Sequence, residues 1–288
     1  MKQSSHLPTP RTIGLTVVTM LAFAANSVLC RLALAHGSID PASFTAIRIG
    51  SGAVTLGLIL AFTDKASVAQ GSWKAALALF AYAAAFSFAY VTLSAGAGAL
   101  LLFGAVQATM VTTGLLRGER LTATQWFGFA VALIGLAALL APGVAAPPMG
   151  GALLMLAAGV AWGVYSLLGR RAVDPLAATA GNFLKALPIT VILLGPLVLL
   201  GTHHEPSGLL YAIISGAVAS GFGYTIWYAA LAGLSPVQGA SVQLSVPVIT
   251  AVAGTIALGE TITIRLSLSS IAIIGGIALV IASHPRAA

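Results

Sequence analysis

The sequence predicts an all-α integral membrane protein of ten spanning helices, and three observations predict it. Hydrophobic residues make up 59% of the 288-residue chain and charged residues only 7%. A soluble domain carries roughly 45–50% apolar and about 25% charged residues, so this little charge cannot cover a globule of that size. The mean hydropathy of +1.03 agrees. The apolar residues also fall into ten runs, each near the ~20 residues a membrane helix requires. The runs are continuous rather than alternating, which argues against a membrane strand barrel.

Each span has its own punctuation. Span one covers residues 12–35, which is too long for a signal-peptide core and lacks a convincing cleavage site, so it reads as a retained helix. The turn 36–40 follows, and Pro41 suits the first turn of span two, 41–62. A polar segment, 63–72, precedes span three at 73–94. A tight connection at 95–98 leads to span four, 99–116, and the charged turn 117–120 to span five, 122–141. Three prolines and one glycine, without charge, mark 142–149 as the link between two halves, residues 1–143 and 144–288. Spans six and seven follow at 150–170 and 176–200, then the polar turn 201–207. Spans eight, nine and ten lie at 208–232, 236–258 and 264–283.

A net charge of +7 would suggest nucleic acid in a soluble protein. Here the basic residues sit beside span ends. With both termini in the cytoplasm, Lys2, Arg11, Lys65, Lys74, Arg117, Arg120, Arg170, Arg171 and Arg286 fall on the inner side, nine of the thirteen. That bias fixes the orientation. Membrane lipid, not nucleic acid, is the expected macromolecular surrounding.

The two halves repeat at a distance of about 141 residues. Gly118-Glu119 aligns with Gly259-Glu260, Thr122 with Thr263, Arg31 with Arg170, and Asp40-Pro41 with Asp174-Pro175. Five spans per half is an odd number, so the second half enters from the opposite side. Inverted repeats of this kind underlie many secondary transporters, with a shared site at the repeat interface.

On these features the chain resembles the drug/metabolite transporter superfamily in its EamA-type ten-helix branch. The turns RGERLT and LGETIT, Arg48 in span two and Pro247 in span nine carry the resemblance. The second half departs from the first with Asn182 where Arg48 falls, and span four has Val106 where span nine has Pro247. The resemblance implies a bacterial inner-membrane carrier exporting small metabolites, and within that branch most resembles the aromatic and neutral amino-acid exporters. A proton- or cation-coupled exporter of drugs or nucleotide-type metabolites is the alternative within the superfamily.

Charge inside a span is costly and usually faces a bundle interior or water. Lys185 lies about nine residues, or roughly 14 Å, into span seven, where its ammonium would hold a substrate carboxylate, snorkel to the cytoplasmic interface or pair with helix carbonyls. Arg48 would bind an anionic group with its planar fork, or pair with Asp40 or helix carbonyls. Tyr82, Phe86 and Tyr90 share one face of span three; Tyr224, Trp227 and Tyr228 do so in span eight. Two facing aromatic stripes suit an aromatic or amphipathic substrate, against ordinary packing or an interfacial belt. Asn26, Gln107, Trp162, Tyr165, Asn182 and Gln243 complete the candidate lining, each also readable as an interhelical hydrogen bond. Gly96, Gly98, Gly221, Gly223, Pro188 and Pro247 are candidate hinges, with close packing the plainer reading for the glycines.

Glu119 and Glu260 stand at the starts of spans five and ten, where the helix dipole favours a carboxylate. No Asp or Glu lies mid-span, so a carboxylate proton relay is not expected and facilitated efflux is the simpler mechanism. The histidines His6, His36, His203, His204 and His284 all lie in tails or turns, and the lone Cys30 allows no internal disulfide. Neither a metal nor a cofactor is expected. An intramembrane enzyme would need a buried nucleophile–base set, and the spans offer none. Pseudo-symmetry within one chain allows a functional monomer.

Overall fold

The computed structural model describes residues 9–62, 70–118, 120–143, 145–169, 172–201, 204–234 and 236–282. Glu119, Arg170, Arg171 and His203, with Lys2, Lys65 and Arg286, lie outside the described residues. Ten helices are long and apolar enough to cross a membrane. They are α1 (Pro10–Ala35), α2 (Pro41–Ala61), α3 (Trp73–Tyr90), α4 (Ala95–Leu116), α5 (Ala123–Leu140), α6 (Met149–Gly169), α7 (Pro175–Leu200), α8 (Pro206–Leu231), α9 (Pro236–Gln243 and Ser245–Leu258) and α10 (Ile264–Ala282).

Small polar residues start several of these helices. Asp40 accepts from the backbone N–H groups of Ala42 and Ser43 to cap α2, with Pro41 in the first turn. Asp174 does the same for α7 through Leu176 and Ala177, with Pro175 following it. Thr122 and Gln125 form a reciprocal capping box at α5. Ser94 caps α4 by accepting from the Ala97 N–H. Residues 95–98, expected as a connection, are therefore the first turn of α4, and α3 stops at Tyr90.

Two helices depart from simple spans. In α9 the ladder breaks at Leu244, whose N–H turns to the Ser241 carbonyl at 3.1 Å. Pro247 is the cause: it has no N–H for the carbonyl four residues earlier, that of Gln243. In α8 the residues Ser215–Phe222 wind as a π-helix. Such segments are rare and concentrate at functional sites. Pro188 and Pro196 lie within α7, which stays continuous.

The most extensive packing joins helices of the first five to helices of the last five. Helix α2 lies on α7, α4 on α9, and α5 on α10. Helix α3 packs on α6, and correspondingly α8 on α1; α4 packs on α6, and α9 on α1. Exchanging the first five helices for the last five returns these same pairs. Large apolar side chains such as Val191, Ile192, Ile256, Ile264 and Ile271 face outward, as lipid contact requires. The chain is thus a multi-pass all-α membrane protein.

Glycine sets how closely the helices approach. A Cβ on Gly276 would lie 2.4 Å from the Gly128 carbonyl oxygen, and one on Gly128 would lie 2.5 Å from the Gly276 oxygen. The obstructing atoms are backbone, so they cannot swing away. Gly276→Leu is expected to force α10 off α5 and to cost about 3 kcal/mol. Thermal unfolding in detergent checks it.

Candidate functional site

A narrow crevice, with about 30 Å³ of free volume, forms the cleft between helices of the first five and of the last five. Helices α1, α3 and α4 contribute Phe23, Asn26, Ser27, Tyr82, Phe86, Leu102 and Phe103; α6 and α8 contribute Trp162, Ala219, Ser220 and Tyr224. Its walls are aromatic. Trp162 stacks on Tyr165 and Tyr224, with ring centroids 5.3 and 5.4 Å apart, and lies 4.8 Å from Tyr82. Phe23 meets Tyr224 and Trp227 edge-on at 6.0 and 5.9 Å. Phe183 meets Tyr224 edge-on from α7 at 6.1 Å.

Beside this cleft runs a closed polar circuit. The Ser215 hydroxyl donates to Asn26 Oδ1 at 2.6 Å, and Asn26 Nδ2 donates to the Tyr82 hydroxyl at 3.4 Å. Arg48 Nη2 donates to that hydroxyl at 3.0 Å, and Arg48 Nε reaches Ser220 Oγ at 3.5 Å. Ser220 then donates to the Ser215 carbonyl at 2.9 Å, five residues back within the π-helical turn. The circuit joins α1, α2, α3 and α8, and so spans both halves. Each member is buried. Gly216 lets α8 reach it, since a Cβ there would lie 2.2 Å from the Arg48 carbonyl oxygen.

The sequence candidates divide. Arg48, Asn26, Tyr82, Phe86, Trp162, Tyr165, Tyr224 and Trp227 come together at the cleft or in the rings behind it. Tyr90 is buried one layer away, edge-on to Phe86 at 4.7 Å, and donates to the Ala95 carbonyl. Tyr228 shares a hydrogen bond with Thr179 at 3.1 Å. Gln107 lines a separate apolar crevice with Gly104, Phe129, Ile273 and Val280, between α4, α5 and α10. Gln243 Nε2 turns back to its own helix at the Gly239 carbonyl, beside the break in α9.

Lys185 and Asn182 also act outside the cleft. Lys185 Nζ donates to the carbonyls of Gln70 and Gly71 at 3.0 and 3.1 Å, and Asn182 Oδ1 accepts from the Ser72 N–H at 2.9 Å. Together they hold the start of α3 against α7. Lys185→Met is therefore expected to lower stability by about 1–2 kcal/mol while leaving substrate affinity within about threefold. Side-by-side melting and binding curves check this.

Among the candidate hinges, Gly96 faces Ala251, Gly98 the Tyr90 ring and Gly221 Thr55, each with a would-be Cβ inside 3.0 Å. Gly223 has more room, 3.4 Å from Ala22. Close packing accounts for the first three. Arg48 does not pair with Asp40, which caps α2 and faces His204 at 3.9 Å. Glu260 sits at the α9–α10 turn as expected, after the left-handed Gly259 that ends α9. The N-terminus it serves, however, is that of α4: its Oε2 accepts from the Ala95 N–H at 2.8 Å. Its Oε1 pairs with Arg31 Nε at 3.1 Å, and Arg31 Nη1 donates to the carbonyls of Tyr90 and Val91.

Sequence reasoning passed over Phe23, Ser215 and Ser220. The available signal was the run SGAVASGFG, where serine accompanies the small residues of span eight.

The family model described as "EamA-like transporter family" matches residues 10–141 and again residues 149–282. The chain belongs to this family. A Pseudomonas aeruginosa protein, "Uncharacterized protein PA1977", is 56% identical over 281 residues, covering 96% of each chain. A Salmonella typhimurium protein named "Probable amino-acid metabolite efflux pump" is 28% identical over 185 residues, covering 59% of this chain and 62% of that one. A solved structure called "Crystal structure of protein" shares the fold with a TM-score of 0.64 at 21% identity, covering 93% of this chain and 97% of the other. The membership makes the chain a membrane transporter of the EamA-like kind, and the fold is that of its solved neighbour.

Proposed function

We propose that this EamA-like transporter exports small metabolites of the amino-acid class across the bacterial inner membrane, by alternating access to the cleft between two inverted five-helix halves. The halves are residues 1–143 and 144–288, with both termini in the cytoplasm. The observation that carries the reading is the polar and aromatic cleft, lined by helices of both halves. Two matches of one family model in tandem support the repeat, as do helix pairs that map onto one another when the halves are exchanged. The name of the Salmonella relative supports the substrate class.

Substrate enters from one face and rests against Trp162 and Tyr224. The halves then rock, closing that face and opening the other. Arg31 and Glu260, on different halves, would part as their face opens. Facilitated flow down the substrate gradient is the simplest drive for this cycle, and the test below reads it directly. A buried guanidinium beside the cleft opposes cationic cargo, which favours this reading over a cation-exporting one.

The test is flux from proteoliposomes across a panel of amino acids, nucleosides and cationic drugs, with and without a pH gradient. Saturable amino-acid flux without a gradient is expected. Flux of cations alone, and only with a gradient, would contradict the proposal.

A further inference from the structure

Arg48 is 2% exposed and sits among apolar helices. A charge so placed needs a counter-charge and acceptors for its N–H groups. The fold gives it few. Nη2 has the Tyr82 hydroxyl at 3.0 Å, and Nε has Ser220 at 3.5 Å, the outer limit of a hydrogen bond. Nη1 is buried without an acceptor. The faces of Tyr82 and Phe86, each 5.0 Å from the guanidinium carbon, give partial compensation only.

No carboxylate among the described residues pairs with it. Asp40 and Asp174 cap α2 and α7, and Glu260 is held by Arg31 and Ala95. The acceptors that Arg48 does have are neutral hydroxyls already tied into the circuit. The site thus holds a fixed positive charge, one donor group, Nη1, without an acceptor, and no carboxylate among the described residues. Arg48 stands directly behind the cleft wall: Tyr82, Phe86 and Ser220, which it touches, line the cleft, and a ligand reaches Nη1 as the halves rearrange and these side chains shift.

We infer that the cleft binds its ligand through a carboxylate, which serves as the missing counter-ion of Arg48 at Nη1. The ligand's apolar body lies on Trp162, Tyr224 and Phe23. This rests on the proposal that the cleft is the transport site, and it names the group of the substrate that is read there. Nη1 is a charged donor, so it takes an anionic acceptor such as a carboxylate and repels a cationic group. In binding, the carboxylate gains charge-assisted hydrogen bonds in a water-poor setting, which offsets its desolvation.

The experiment compares two probes that differ in that one group: phenylalanine and its decarboxylated amine, phenethylamine. Each is titrated against the full-length wild-type protein in lipid nanodiscs, reading intrinsic tryptophan fluorescence, since Trp162 stands in the cleft wall. Phenylalanine is expected to bind at least tenfold more tightly than the amine. In Arg48→Gln the two should fall within threefold of each other, and Arg48→Lys should keep part of the preference. Equal binding of acid and amine to the wild type would overturn the inference, as would no response to phenylalanine, leucine or other small carboxylates at 10 mM. The wild-type comparison decides the matter even where a variant fails to fold. Liposome flux separates the two proposals. Equal flux of acid and amine would remove the anchor and keep the transporter; carboxylate-selective binding without flux would do the reverse.

Discussion

Glu260→Ala is expected to lower stability by about 2–3 kcal/mol, a partly exposed counterpart of the larger cost of breaking a fully buried pair. Two losses combine. The carboxylate leaves Arg31, whose side chain is only 19% exposed, without its counter-ion. It also abandons the Ala95 N–H at the start of α4, an orphan donor that a helix N-terminus must satisfy. Glu260→Gln separates these terms: its amide oxygen can still accept from Ala95, but the charge is gone, so about half the loss is expected. Gly254 shows how closely the pair is seated, since a Cβ there would lie 2.9 Å from Glu260 Oε2. Thermal unfolding of the two variants, with Arg31→Ala beside them, checks the order. Equal stability of Glu260→Ala and wild type would mean that the pair is solvated and holds nothing.

Trp162→Ala is expected to weaken substrate binding at least tenfold and to cost about 2–3 kcal/mol in stability, below the 3–5 typical of a fully buried aromatic because Trp162 is only half-buried. Its ring is the meeting point of Tyr82, Tyr165 and Tyr224, so truncation removes one ring contact from each of three tyrosines. Trp162→Phe keeps a flat face and should recover most of the stability but less of the affinity. Isothermal titration alongside melting separates the two effects. An unchanged affinity in Trp162→Ala, with the fold intact, would remove the aromatic wall from the binding site.

Much of this was legible in the chain before any coordinates. Ten spans follow from run length alone, because lipid leaves no other way to satisfy the backbone. Asp40-Pro41 and Asp174-Pro175 announced two helix starts through known capping chemistry. Tyr82 and Phe86 were readable as one face of α3, and Tyr224 and Trp227 as one face of α8, from the helical period. What stayed open has physical reasons too. Lys185 sits at about the right depth, but depth does not tell which way a long side chain turns, and it turns to the backbone carbonyls of Gln70 and Gly71. Helix rotation, which one-dimensional spacing does not give, puts Gln107 in a different crevice. Ser215 and Ser220 were invisible because only the π-helical winding of α8 brings their polar atoms into one circuit. Glu260 was placed at the correct turn, yet its partners come from the other half of the chain, and no local rule reaches that far.

Access to the cleft from each side is the most direct measure of the central claim. Ala219 lines the cleft and is 3% exposed; the one native cysteine, Cys30, is 0% exposed and gives little background. In sealed vesicles of Ala219→Cys, a membrane-impermeant thiol reagent would be added on the outside or trapped on the inside, with and without substrate. Alternating access predicts reaction from both sides, at rates that substrate shifts in opposite directions. Reaction from one side only, whatever substrate is present, would contradict it.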